Sequence, residues 1–294
     1  MPVTSAEVLE RDFEAIRRLL SEPASQRERA ARDLHERGRF DAECAVVAMV
    51  LVPAVSSTLT DARRRAAVEQ CLIAVRRACP SRRALHLVRD GHGVLIVGFD
   101  RAGAHAARAA GQHAQRLVVA AAKRLPASGA GSHALVGVGG VQPRLDRVAA
   151  SYTQAGHAVT VARVANEHVP IASWERLGVF RLLVDLPERD VDTFAPQALR
   201  HLDDADDGTL RRTLECYLDH AGQAQATANA LSLHRATLYY RLDRIRQVTG
   251  VDLSDGAQRL ELHVWLKLLR LRGRGVVAAS GGGLVPQVAG PRAP

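Results

Sequence analysis

Between Gln225 and Gly250 the chain reads QATANALSLHRATLYYRLDRIRQVTG, a stretch that leaves room for little besides two helices meeting at a tight corner. In its second half Leu238, Leu242, Ile245 and Thr249 recur at the 4-, 3- and 4-residue intervals that line up on one helical face. That face is expected to be buried. Ala236, Thr237, Tyr240 and Arg244 then point the opposite way, with Arg235 in the exposed first turn and Arg241 on the flank. The first half, Ala226–Leu231, is short and built from small residues, so a second helix can approach it closely. Ser232-Leu233-His234 forms the corner, and either Ser232 or His234 is placed to cap the second helix.

This spacing is the one a helix-turn-helix needs, and in that geometry the exposed face of the second helix enters the major groove of DNA. The candidate DNA-contacting residues are His234, Arg235, Thr237, Tyr240, Arg241 and Arg244. The guanidinium forks of Arg235 and Arg244 suit guanine edges or phosphate, Thr237 and Tyr240 suit phosphate or thymine methyl groups, and Arg241 suits the backbone. Around this stretch, Leu210, Leu214, Tyr217 and Leu218 mark one supporting helix and Leu260–Leu269 another that is expected to be mostly buried, so that Gly208–Arg272 makes a unit of four or five helices. Its ten basic residues stand against six acidic ones. One such module neutralises few phosphates, so a homodimer or higher homo-oligomer reading two half-sites is expected.

The run His234, Arg235, Thr237, Leu238, Tyr240, Arg241, Leu242, Arg244 and Ile245 resembles the Fis-type helix-turn-helix at the C-terminus of PucR/CdaR-family bacterial transcriptional regulators. The resemblance continues through Leu210–Leu218 upstream and through Thr249-Gly250 and Arg259–Leu262 downstream. In that family a GGDEF-like domain precedes the helix-turn-helix, and its pattern is similar to Gly137, Gly139, Ser151, Tyr152 and Ala155, then Leu177, Gly178, Arg181, Leu182 and Leu183. The resembling regions cover about residues 43 to 272.

The order of elements read from Glu43 onward agrees. Cys44–Val52 is an apolar, β-branched run of buried-strand length, Asp61–Ala78 is helical, and Ala84–Arg89 and Gly93–Phe99 are strands around Asp90-Gly91-His92, where Asp-Gly signals a hairpin. A helix over about Ala102–Leu125, a strand at Ala134–Gly139 and a helix over about Arg144–Asn166 follow. The fold class is α+β: a degenerate GGDEF/cyclase-like mixed-sheet domain, then an all-α helix-turn-helix domain. The expected divisions are an N-terminal helical segment at 1–42, the GGDEF-like domain at 43–190, a linker at 191–208, the DNA-binding domain at 209–272 and a Gly/Pro/Ala-rich disordered tail at 273–294. Within 1–42, Val8, Phe13, Ile16, Leu19 and Leu20 share one side of a first helix, Glu22-Pro23 breaks it, and Leu34 anchors a second. These helices either extend the next domain or form a dimer contact.

Enzymatic alternatives fail on their ligand sets. A diguanylate cyclase needs paired carboxylates and glycines at the hairpin, whereas VRDGHGV offers Asp90 alone, which is read as a turn residue. Gly137-Val138-Gly139-Gly140 lacks the third glycine of a dinucleotide loop, Pro143 standing in its place, and close packing on the sheet explains the glycines. Asp203–Gly208 lacks calcium-loop ligands at Ala205 and Leu214 and reads as an acidic linker with Asp207 or Thr209 capping the next helix. Cys44, Cys71, Cys79 and Cys216 have neither metal nor disulfide spacing, and no metal or other cofactor is expected.

The formal net charge of +9 favours a polyanionic partner, although the near-exclusive use of arginine over lysine also fits a high-GC genome. Met1–Ser21 has no signal-peptide succession, and the longest apolar run, Ala45–Val55, is too short to span a bilayer and contains Pro53, so a cytoplasmic location is expected. The expected partner is double-stranded operator DNA, with a small-molecule effector of unknown identity and no membrane. The competing reading is a small-molecule- or nucleotide-binding, or residual nucleotide-processing, protein in which the helical module mediates assembly.

Overall fold

In the computed structural model the described residues are 5–272, apart from 22, 42, 55–58, 80–82, 90, 128–132, 165–168, 185, 187–194 and 206. The expected tail at 273–294 and the turn residue Asp90 lie outside them. The chain divides into two compact units, Met1–Gly178 and Val179–Gly282.

The first unit is built on β1 (Ala45–Pro53), every residue of which is buried. This strand sits at the centre of a five-stranded sheet whose other members are β2 (Ala84–Arg89), β3 (His92–Phe99), β4 (Ala134–Val138) and β5 (Ile171–Ser173), in the order β2-β3-β1-β4-β5. All pairings are antiparallel except β4 with β5, so the sheet is mixed. Three residues of β5 gave no periodicity to read. Arg89 pairs with His92, and between them Gly91 takes φ +82°, the left-handed conformation that glycine supplies at a hairpin.

Because β1 is covered on both sides, its alternate residues serve two cores. Val47, Met49 and Leu51 meet Val68, Leu72 and Val75 of α3 (Asp61–Arg76) and Ala110, Ala114 and Leu117 of α4 (Ala104–Ala122). Val46, Ala48 and Val50 meet Ile16 and Leu19 of α1 (Ser5–Leu19), Ala30 and Leu34 of α2 (Ala24–Glu36), and Tyr152, Ala155 and Val159 of α5 (Val148–Val164). The helices of segment 1–42 therefore pack onto the sheet as part of this unit. Phe13, expected on the buried side of α1 with Ile16 and Leu19, is instead 40% exposed. A spacing argument places a residue on a broad face, and only the neighbouring elements decide how far that face is covered.

The Gly137, Gly139, Ser151, Tyr152 and Ala155 pattern has a packing explanation. A Cβ on Gly137 would come within 2.1 Å of the Ala155 carbonyl oxygen, and one on Gly139 within 2.0 Å of the Ser151 carbonyl oxygen, so α5 lies directly against β4 and the turn after it. Where β4 leaves the ladder, the buried Ser151 Oγ accepts from the Ala48 amide at 2.9 Å and satisfies a central-strand donor. Tyr152 Oη lies 2.9 Å from His92 Nε2, and both side chains are buried.

The described elements of the second unit are helices: α6 (Phe180–Leu183), α7 (Gln197–Ala205), α8 (Thr209–Asp219), α9 (Ala224–Ala230), α10 (Arg235–Thr249) and α11 (Gly256–Leu271). The segment 191–208, read as a linker, carries α7, whose Leu199 and Leu202 are buried in the same core as Leu214, Leu238, Leu242 and Leu266. Its acidic composition hid a short amphipathic helix, because the two leucines are its main anchors. Asp203 there pairs with Arg211 at 2.9 Å. Leu182 and Leu260, both counted in apolar patterns, are 76% and 66% exposed. Cys44, Cys71 and Cys79 are buried and Cys216 is half-buried, and burial pushes the Cys44 and Cys71 thiols up to about 11, as suits unreactive core thiols.

Candidate nucleic-acid interface

The corner between α9 and α10 is set by backbone hydrogen bonding. Leu231 closes α9, and Ser232 follows it in the left-handed region at φ +54°. The Ser232 amide donates to the Asn229 carbonyl at 3.1 Å and the Leu233 amide to the Ala228 carbonyl at 2.8 Å, which is a Schellman motif with serine where glycine is usual. His234 then occupies the N-cap position of α10 in extended backbone, but its side chain makes no capping bond. Neither residue expected as a side-chain cap acts as one, because Ser232 is spent on ending the previous helix.

α9 is held by its own small residues. Thr227 and Ala228 are buried, and Thr227 Oγ1 donates to the Gln223 carbonyl at 2.8 Å. The equivalent corner between α8 and α9 uses the same device. Ala221 takes φ +54°, with its amide donating to Leu218 and that of Gly222 to Tyr217.

In α10 the buried residues are Leu238, Leu242 and Ile245, with Thr249 half-buried at the end of the same stripe. On the other side His234, Arg235, Ala236, Thr237, Tyr240 and Arg244 are all exposed, Tyr240 to 72%. Arg235, Thr237, Tyr240 and Arg244 thus stand together on a solvent-facing surface. Arg241 differs. It is half-buried, and its Nη1 donates to Thr213 Oγ1 on α8 at 3.3 Å. Its flank position brings it to the neighbouring helix, which spacing alone did not reveal.

A residue passed over in the sequence also belongs to this surface. Tyr239 is 45% exposed, and the Arg235 guanidinium lies 5.8 Å from its ring centroid while Nη2 donates to its hydroxyl at 3.3 Å. The contact draws the Arg235 guanidinium toward the ring one turn on. The i, i+4 spacing of Arg235 and Tyr239 was the available signal. Arg246, at the far end, is paired with Asp243 at 2.6 Å.

The scaffold behind α10 is tied by charge. Lys267 of α11 meets Glu215 at 3.0 Å and Asp219 at 2.8 Å on α8, Arg270 meets Glu215 at 3.0 Å, and His263 Nε2 lies 2.7 Å from Asp219 Oδ1. Burial works to raise the Asp219 pKa, yet the bonds from His263 and Lys267 prevail and hold the carboxyl below the usual carboxylate range. Asp255 caps α11, accepting from the Ala257 amide at 2.7 Å, and the bond from the Gln258 side chain leads the causes that lower its pKa. Asp207, read as a cap for α8, accepts from the Thr209 amide and hydroxyl, with Gly208 in the N-cap position between them. Among the described residues, no group of three or more His, Cys, Asp or Glu side chains is arranged to hold a metal ion.

Comparison with known proteins now gives this arrangement its class. Residues 210–268 match the PucR C-terminal helix-turn-helix domain, and residues 21–161 match the GGDEF-like domain. The second match begins inside the N-terminal segment and takes in α2, which the resemblance read from sequence left out. A GGDEF-like domain followed by this helix-turn-helix is the arrangement for which the sequence resembles PucR/CdaR-family regulators.

Its relatives include the proline-responsive transcriptional activator PutR of Bacillus subtilis (strain 168), 28% identical over 141 residues covering 46% of this chain and 34% of that protein. The carbohydrate diacid regulator of Escherichia coli (strain K12) is 51% identical over 61 residues, 21% of this chain and 16% of that one. The purine catabolism regulatory protein of Bacillus subtilis (strain 168) is 28% identical over 137 residues, 46% and 26% of the two chains. The matches thus span about a third or less of each relative's length.

Proposed function

We propose that this chain is a DNA-binding transcriptional regulator that lays α10 in the major groove of operator DNA, acts in the cytoplasm as a homodimer or higher homo-oligomer, and controls genes of metabolism or catabolism. The observation that carries this reading is the two-sidedness of α10: Leu238, Leu242 and Ile245 are buried while Arg235, Thr237, Tyr240 and Arg244 face solvent together. Polar and aromatic donors on an exposed helix held by a short Schellman corner suit base edges and phosphates at groove depth. His234 contacts phosphate at the helix start, and Arg241 steadies the helix on the flank. The named relatives, which answer to proline or govern carbohydrate-diacid or purine functions, support a metabolic setting. Among the described residues no helix is long and apolar enough to cross a membrane.

The GGDEF-like domain serves here as a non-enzymatic part of the regulator. The buried His92 and Tyr152 pair seats the first residue of β3, and Gly93 lies so close to Val68 and Leu72 that the strand after the hairpin is committed to packing.

Titration of the chain against its own upstream DNA, by fluorescence anisotropy across a salt series and beside a scrambled duplex, tests the reading. Preference for the upstream sequence with a steep salt dependence supports it. No DNA binding, together with turnover of a nucleoside triphosphate, overturns it in favour of a nucleotide-processing protein.

A further inference from the structure

The first unit carries its charge very unevenly. Its sheet is covered on one side by α3 and α4 and on the other by α1, α2 and α5. Taken with their C-terminal cap residues, α3 and α4 hold eight basic and two acidic residues, whereas α1, α2 and α5 hold eight and seven. The basic residues are equal in number on the two layers, so the asymmetry lies in the acids, two against seven, and the cations of α3 and α4 are left largely without acidic neighbours on their own helices.

On α3 the basic residues are Arg63, Arg64, Arg65, Arg76 and Arg77; on α4 and its cap they are Arg108, Arg116 and Lys123, with Arg124 just beyond. Arg76 is occupied by Asp12 and Arg64 by Asp61. The remainder are exposed. Arg108 to Lys123 spans about 22 Å of helix, a length over which a duplex presents roughly a dozen phosphates.

We propose that the α3/α4 face of the GGDEF-like domain is a second DNA-contacting surface, which binds the phosphate backbone of duplex DNA without reading sequence. The inference rests on the regulator reading above and adds to it a separate contact. A membrane surface is the less suitable partner. Interfacial helices insert large apolar side chains, and among the described residues Val119 is the one such side chain exposed on this face. A second copy of the same face is disfavoured by like-charge repulsion.

The test compares the wild-type 294-residue chain with the triple variant R108Q/R116Q/K123Q on upstream and scrambled duplexes across a salt series. The expected result is that the magnitude of the salt slope falls by roughly 2–3, with binding to both duplexes weakened by the same factor and the preference between them unchanged. The charge-keeping variant R108K/R116K/K123R retains the wild-type slope. A wild-type slope in the glutamine variant, while R244A weakens binding, overturns the inference and leaves the regulator reading intact. If the wild-type protein binds neither duplex, both fail. Loss of binding to equimolar phosphatidylglycerol and phosphatidylcholine vesicles in the glutamine variant, with the duplex slope unchanged, assigns the face to a membrane instead.

Discussion

Arg241 Nη1 donates to Thr213 Oγ1 at 3.3 Å, and the same hydroxyl donates onward to the Thr209 carbonyl at 2.8 Å. Through Thr213, which is fully buried, the arginine ties α10 to the helix behind it. Its exposed neighbour one turn on, Arg244, has no such duty to the fold. Arg241→Ala is therefore expected to cost the helical unit about 1 kcal/mol, read as a lower urea midpoint. Arg244→Ala is expected to leave that midpoint alone and weaken upstream-DNA binding by about 1–3 kcal/mol. Equal stability losses in the two variants would refute the division of labour.

The corners around α9 store correctable strain. Ser232 and Ala221 both sit at φ +54°, where an L side chain is disfavoured by about 1 kcal/mol and glycine is not. Both are exposed, so nothing is lost by removing the side chains. Ser232→Gly and Ala221→Gly should each stabilise the chain by about 0.5–1 kcal/mol, part of the gain being offset by the freer unfolded chain. Chemical denaturation gives the sign directly, and a loss of stability in either variant contradicts the assignment.

Two glycines of the first unit should respond in opposite directions to the same change. Gly139→Ala would drive a methyl group to 2.0 Å from the Ser151 carbonyl oxygen, and backbone must move to relieve it, at a cost of about 3 kcal/mol. Gly111, within α4, has nothing within 4 Å of an added Cβ, so Gly111→Ala should stabilise by roughly 0.5–1 kcal/mol through helix propensity. Thermal melts of the two variants against wild type check both.

His86 confers a defined pH dependence. Burial chiefly, and Arg76 donating toward Nδ1 at 3.2 Å, push its pKa from 6.5 to about 4, while Asp12 opposes them. The folded state thus disfavours the proton that the unfolded state accepts. The stabilisation is fully present above pH 6.5 and is lost as pH falls from there to about 4, amounting to something on the order of 2 kcal/mol. His86→Gln keeps an acceptor for Arg76 but cannot titrate, so its urea midpoint should change less than that of the wild type over this window. Parallel curves for the two proteins would remove His86 as the cause.

The local chemistry of the chain was enough to place most elements. An unbroken apolar run marked β1, Asp-Gly marked the hairpin between β2 and β3, and the Leu238, Leu242 and Ile245 interval picked out the buried side of α10. These depend on neighbours in sequence, so the sequence carries them. What tertiary structure alone decided were matters of coverage and partnership. Phe13 and Leu260 are left 40% and 66% exposed by the elements around them, and Leu199 and Leu202 turned an acidic stretch into a core helix because α10 offered them a surface. Arg241 met Thr213, and the acidic residues that offset the cations fell on α1, α2 and α5 rather than on α3 and α4. Each of these pairs residues distant in sequence or sums charges over elements that only the sheet brings side by side, and no local pattern encodes such proximity.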